Sequence, residues 1–370
     1  MKYLAYLLTI LLSNLLLAND GSFRASGNHL IPIHETDITV KKEILTIKKV
    51  DNDKIEVTVY YEFYNPKAAK KITVGFEAFA PSGDVDGAPL NGHHPYMQDF
   101  TVLLNKSRLP YKVAYVSDSL YAKNGKVESL NLKTFEGSTE GNVIDFYYVY
   151  HFEAEFKKGL NIIQHTYTYD LSGGVDMNFF FEYVLTAANR WGNKQIDDFT
   201  LILDMGEFET FTIDKNFFNR MDEWTIDGIG KHEDVIGDEG SLAPNDGVKF
   251  HIQKGTVTFK KMNFKPPGEL FIYAFNYYPY MSKEETGYLP FSYYQPIAYL
   301  EYEVEDGLVL TTLQKKILRN LPFARRGYVF KGADLNDYFN SLDWYMPDPN
   351  YVPDVSGLST EEKEWLEKWK

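Results

Sequence analysis

Residues 54–64 read Lys-Ile-Glu-Val-Thr-Val-Tyr-Tyr-Glu-Phe-Tyr. In an extended chain, Ile55, Val57, Val59, Tyr61 and Phe63 share one face, and Glu56, Thr58, Tyr60, Glu62 and Tyr64 share the other. Successive side chains of a strand point to opposite faces, so this period of two predicts a half-buried β-strand. Asn65-Pro66 ends it, because proline has no N–H to give a ladder. The alternation returns at 72–78, 144–156, 179–185, 199–203, 248–259 and 271–275, with Gly, Pro, Asn and Asp turns between. One apolar and one polar face per strand predicts antiparallel sheets with a wet side. The expected fold is mainly β, with one or two antiparallel β-sandwich units. The pattern breaks at Ser172-Gly173-Gly174 and again over 185–192. That places a first unit at 19–185 and a second β-rich unit at 186–306. No βαβ alternation and no fixed-period repeat is visible.

Composition narrows the function classes. The chain has 370 residues, 52 acidic and 38 basic, for a net charge of −14. Phosphate recognition needs a basic surface, so a nucleic-acid partner is excluded. The chain has no cysteine, which excludes disulfides, a cysteine nucleophile, iron–sulfur clusters, thiolate zinc and lipid attachment through cysteine. Residues 222–247 are acidic, but their spacing does not match a twelve-residue calcium loop, so a solvated loop is expected.

At the N-terminus Lys2 precedes an apolar run from Leu4 to Leu17, and Ala18 precedes Asn19 and Asp20. This layout predicts a signal peptide at 1–18 and a secreted or periplasmic protein with no transmembrane span after its removal. A retained anchor helix is the alternative, although the run is shorter than the about 20 residues a span needs.

From residue 307 the period changes. Leu310, Leu313 and Ile317 recur at helical spacing, and Ser359-Thr360-Glu361-Glu362 offers a capping box. Trp365, Leu366 and Trp369 then form one apolar face of a closing helix. Residues 307–331 hold six basic groups and no acid, whereas 332–370 hold nine acids and three bases. This polarity predicts that the basic half folds against the acidic half.

The tail also carries a recognisable motif. Arg319-Asn320-Leu321-Pro322-Phe323-Ala324-Arg325-Arg326-Gly327-Tyr328-Val329-Phe330 is followed by Asp334-Leu335, Tyr338-Phe339 and Trp344-Tyr345. In order and spacing these residues resemble the YARHG domain family, over 307–370. The resemblance implies a small, α-rich, extracellular bacterial module carried C-terminally on varied partners, and it brings no reaction. Phe323 and Arg326 replace the family's tyrosine and histidine, removing the groups that could move a proton. Pro322 lacks an N–H and predicts a helix break. The expected role of the motif is structural or interactive. Gly327 takes a restricted backbone geometry, Phe323, Phe330 and Trp344 form a small core, and Arg325 or Arg326 pairs with a tail carboxylate.

Other candidates are sparse. His93 and His94 form the most suggestive metal-like pair, yet adjacent strand residues point apart, so a turn with polar side chains is the simpler reading. His165 reads as a satisfied, partly buried histidine. The pairs Asp197-Asp198 and Glu284-Glu285 fit chance in an acidic chain. With 28 Tyr, 26 Phe and 5 Trp, the rings either fill disulfide-free cores or form a platform at 277–280 and 288–294. Core filling is favoured. No cofactor is expected. The sequence therefore points to an exported, non-enzymatic binding or structural scaffold of the bacterial envelope, its partner an envelope protein or a glycan. A glycan binder and, further off, a carboxylate-dependent hydrolase are the alternatives.

Overall fold

A computed structural model describes residues 23–24, 27–32, 36–51, 53–79, 81–83, 85–117, 127–137, 144–174, 177–238, 243–275 and 311–370. The signal peptide expected at 1–18 and the aromatic clusters at 277–280 and 288–294 lie outside the described residues.

The fold is mainly β, followed by a small α-rich C-terminal module. The principal strands are β1 (Gly27–Pro32), β2 (Thr39–Asp51), β3 (Lys54–Asn65), β4 (Lys70–Phe79), β5 (Met97–Leu104), β6 (Lys112–Val116) and β7 (Tyr147–Phe156). They continue with β8 (Gly159–Asp170), β9 (Met177–Tyr183), β10 (Ile196–Asp204), β11 (Glu209–Asp214), β12 (Trp224–Val235), β13 (Gly247–Phe264) and β14 (Leu270–Phe275). A four-stranded sheet runs β1-β4-β7-β6. A larger sheet runs β9-β14-β11-β13-β10-β2-β3-β8-β5, with β12 pairing to β13.

The opening stretch forms β3, and its five apolar side chains are all buried. The two sheets face each other through rings. Phe76 of β4 meets Phe100, His165 and Tyr167 of the larger sheet at 5.1–5.4 Å between centroids. Edge-on and tilted rings at this spacing fill the core as the aromatic composition predicts.

Strands before and after the expected boundary at 185/186 belong to one large sheet. β2 and β10 pair in parallel, with Leu45 opposite Leu201 and Ile47 opposite Leu203. One hydrophobic cluster takes residues from Ile38 to Ala274.

The acidic 222–247 segment differs from the expected loop. Residues 224–235 form β12, an edge strand laid along β13. Its outer face carries charge, which suits an edge that must refuse further strands. Lys254-Gly255 lies inside β13, which bends there. Gly255 (φ +115°) faces Gly228 (φ +142°), and a β-carbon on Gly255 would lie 2.1 Å from the Asp227 carbonyl. Only glycine permits two backbones this close.

The tail folds into α1 (Thr312–Ala324), α2 (Ala333–Asn340) and α3 (Thr360–Lys368). Among the described residues no helix is long and apolar enough to cross a membrane. The break expected at Pro322 does not occur, because α1 runs through it to Ala324. The cost of the missing N–H falls on the Leu318 carbonyl, four residues back. That carbonyl accepts a 2.8 Å hydrogen bond from the Trp365 indole N–H instead. A partner from another helix thus replaces the bond that proline cannot make.

Candidate functional site

The tail module is built around its aromatic residues. Phe330, Tyr338, Phe339, Trp344, Tyr345, Trp365 and Trp369 join Ile317, Leu318, Leu321 and Ala324 in one buried cluster. Phe323 is only half-buried and stays out of this cluster, its expected place taken by Leu321 and Ala324. Gly327 has φ +85°, and a β-carbon there would lie 2.5 Å from the Met346 carbonyl. Asp348 N–H also donates to the Gly327 carbonyl at 2.7 Å, so two chain segments meet at this glycine. Tyr345 donates its hydroxyl to the Tyr328 carbonyl at 2.7 Å. Arg319 points to solvent, and Asn320 bonds back to the Lys316 carbonyl at 2.8 Å.

Of the two motif arginines, Arg326 makes the carboxylate pair. Its guanidinium donates to both oxygens of Glu362 at 2.8 and 2.9 Å. Glu362 also completes the α3 capping box, accepting from the Ser359 N–H at 2.9 Å while its own N–H donates to the Ser359 hydroxyl. One carboxylate therefore fixes both the start of α3 and the end of α1. Lys316 and Asp334, 3.6 Å apart, add a second basic-to-acidic contact.

The module sits on the β body at a defined seat. Phe208, in the turn between β10 and β11, has φ +59°, which is costly for a bulky residue. Its ring packs against the tail core, 5.1 Å from the Arg326 guanidinium and 5.8 Å from that of Arg325. These are cation–π distances. Beside it, Lys249 of β13 meets Asp343 of the tail at 2.5 Å, and Lys231 of β12 reaches the Tyr345 carbonyl at 3.4 Å. Glu233 of β12 and His251 of β13 complete this polar corner, within 4.8 Å of Asp343. Burial pushes the His251 imidazole down to about 4, against the pull of the facing carboxylates. Sequence reading missed this corner because its residues come from three distant segments.

The His93-His94 pair does form a turn, and its two rings are used differently. His94 is buried, its Nε2 lying 3.0 Å from the Phe79 carbonyl and its Nδ1 accepting from the Tyr96 N–H at 3.1 Å. Both nitrogens are occupied, which leaves none for an ion. His93 is exposed and borders a groove of about 440 Å³ with Gln98, Asp99, Arg108, Tyr111 and Tyr150. His165 departs from the satisfied reading. It is fully buried among rings, and neither ring nitrogen has a hydrogen bond.

The tail is thus a small helical module closed by buried tryptophans and a Gly-centred crossing, carried on a β scaffold. Residues 310–370 match the family model of the YARHG domain. Among solved structures, a candidate nutrient-binding protein from Legionella pneumophila is 16% identical, with 95% of this chain and 100% of that chain covered, at a TM-score of 0.47. An M1 zinc metallopeptidase from Deinococcus radiodurans is 8% identical over 64% of this chain and 42% of that chain, at a TM-score of 0.26. Baculovirus P35 is 10% identical over 67% and 99%, at a TM-score of 0.27. A search of curated proteins returned no match.

Proposed function

We propose that this protein is an exported, non-enzymatic binding scaffold of the bacterial envelope, with the YARHG domain docked on the β body as an interaction module. The observation that carries this reading is the seat itself, where a strained Phe208 meets two motif arginines and Lys249 meets Asp343. A tail that held its place only by a linker would not need such matched contacts. The motif residues support an interaction role rather than proton chemistry, because Phe323 and Arg326 stand where a titrating pair would be needed.

Export is tested by fractionation of a bacterial host producing the full chain with a C-terminal tag. Cleaved protein beginning near residue 19, in the periplasm or medium, supports the reading. Uncleaved protein confined to the cytoplasm overturns it.

A glycan is the second reading for the ligand, favoured by the groove at His93, Arg108 and Tyr111. Its rings are not coplanar: Tyr111 lies 84° from Phe100 and 41° from Tyr150. Stacking would rest on Tyr111 alone, so Tyr111→Ala should abolish any sugar retention on a glycan array. Retention unchanged by that substitution would move the sugar site elsewhere.

A further inference from the structure

The corner between the body and the YARHG domain holds a buried histidine that the docking contacts do not use. His251 is 2% exposed. Its Nδ1 lies 2.9 Å from the hydroxyl of Thr210, itself buried. Its Nε2 has no hydrogen bond. That nitrogen faces Glu233 Oε1 at 3.5 Å and Asp343 Oδ2 at 3.9 Å. If Thr210 accepts the Nδ1 proton, the Nε2 lone pair points at two carboxylate oxygens. In that tautomer a neutral acceptor and two carboxylates face one another with no proton to share, an arrangement that a cation between or beside them would stabilise. Lys249 supplies one at the edge, 2.5 Å from Asp343 and 3.5 Å from Glu233, but it does not reach the imidazole with a hydrogen bond.

We propose that Glu233, His251 and Asp343 form a divalent transition-metal site of the zinc type, which pins the YARHG domain to the β body. One imidazole nitrogen and two carboxylate oxygens are a zinc-like donor set, with a water completing four-coordination. Calcium and magnesium prefer all-oxygen shells, so the buried imidazole argues against them. Ligand bonds of about 2.0–2.2 Å place tetrahedral donors roughly 3.3–3.6 Å apart. The two edges from His251, 3.5 and 3.9 Å, need only a small contraction, and the two carboxylates, within 4.8 Å of each other, close onto the ion by turning exposed side chains. Thr210 then does what outer partners of metal-bound histidines do: it fixes the tautomer and the ring plane. Lys249 is the competitor. Its side chain is 26% exposed and can swing outward when a metal enters.

The test is calorimetry of the purified full chain with zinc chloride, with the visible spectrum of the cobalt form as a geometric readout. This is independent of the export reading, since it measures metal on purified protein wherever that protein resides. One equivalent is expected to bind, and cobalt should show the strong visible bands of four-coordination. Asp343→Asn should weaken binding about tenfold or more, judged against losses seen for outer-shell changes alone. Asp343 is half exposed, so this variant tests the site even where His251→Ala fails to fold. Lys249→Met should bind more tightly than the native chain. The proposal is overturned if neither the native chain nor Lys249→Met binds one equivalent. It is equally overturned if Asp343→Asn binds zinc with unchanged affinity, which would place the ion elsewhere.

Discussion

Glu43 occupies an inward position on β2, between Val40 and Leu45, and is 4% exposed. Burial pushes its carboxyl up to about 8, with the Tyr61 hydroxyl opposing the shift. In the unfolded chain the group titrates near 4.5. Between those values the folded protein holds a proton that the unfolded chain has lost, so stability falls as pH rises from 4.5 to about 8. Glu43→Gln should remove this slope. Melting temperatures at several pH values across that window would show it, with the variant gaining on the native chain as pH rises. A constant difference would mean the carboxyl is not held neutral. His165 behaves oppositely. Burial holds it down to about 3, against an ordinary 6.5, so its contribution is lost as pH falls through that range. Its neighbours are rings, with Tyr61 stacked at 5.9 Å and Phe76 edge-on at 5.4 Å. His165→Phe keeps a ring there and removes two unpaired nitrogens, so it should stabilise by about 1–3 kcal/mol. The gain should be larger at pH 5 than at pH 8, and a lower melting temperature at both would contradict this. Neither residue was legible from pattern alone. Alternation marks position 165 as inward but carries no sign of whether a polar atom finds a partner there.

At the scale of elements, two features show what local sequence does and does not encode. The period of two in 54–64 survives intact in β3, because one buried face fixes its register. The same signal is absent over 224–235, where β12 lies at an edge and buries only Trp224, so no apolar stripe exists to read. Pro322 misleads for the opposite reason. Proline alone predicts a stop, yet Trp365, 43 positions later in sequence, serves the carbonyl it orphans. Trp365→Phe keeps the ring and deletes the donor. It should cost about 1–3 kcal/mol in the tail, because the Leu318 carbonyl is then buried without a partner. Guanidinium denaturation followed by tail-specific proteolysis would report it; unchanged stability would mean water replaces the bond. The bend in β13 makes a sharper demand. Gly255→Ala places a methyl where the Asp227 carbonyl already lies, at a φ of +115°. A loss of about 2 kcal/mol or more is expected. An unperturbed melting curve would show that the β12–β13 contact can relax.

For the whole molecule, the decisive contact is the parallel pairing of β2 with β10. Their residues stand more than 150 positions apart, with Val40 opposite Ile196 and Lys48 opposite Asp204. No local pattern announces such a partner, and a break in alternation near residue 185 carries no sign of it. Cutting there would unpair the β2 edge along its length and leave Leu45 and Ile47 without the Leu201 and Leu203 side of the core. An exposed apolar strand edge favours aggregation. The YARHG domain is different, since its buried residues form their own cluster and reach the body mainly through Phe208 and a few charges. A fragment of residues 19–185 should therefore lack a cooperative melting transition, whereas 19–306 should keep one close to that of the body in the full chain. Phe208→Ala in the full chain should leave that body transition in place and make the tail more accessible to protease. Cooperative melting of 19–185 would establish two independent β units and make the β2–β10 pairing a docking contact rather than part of one core.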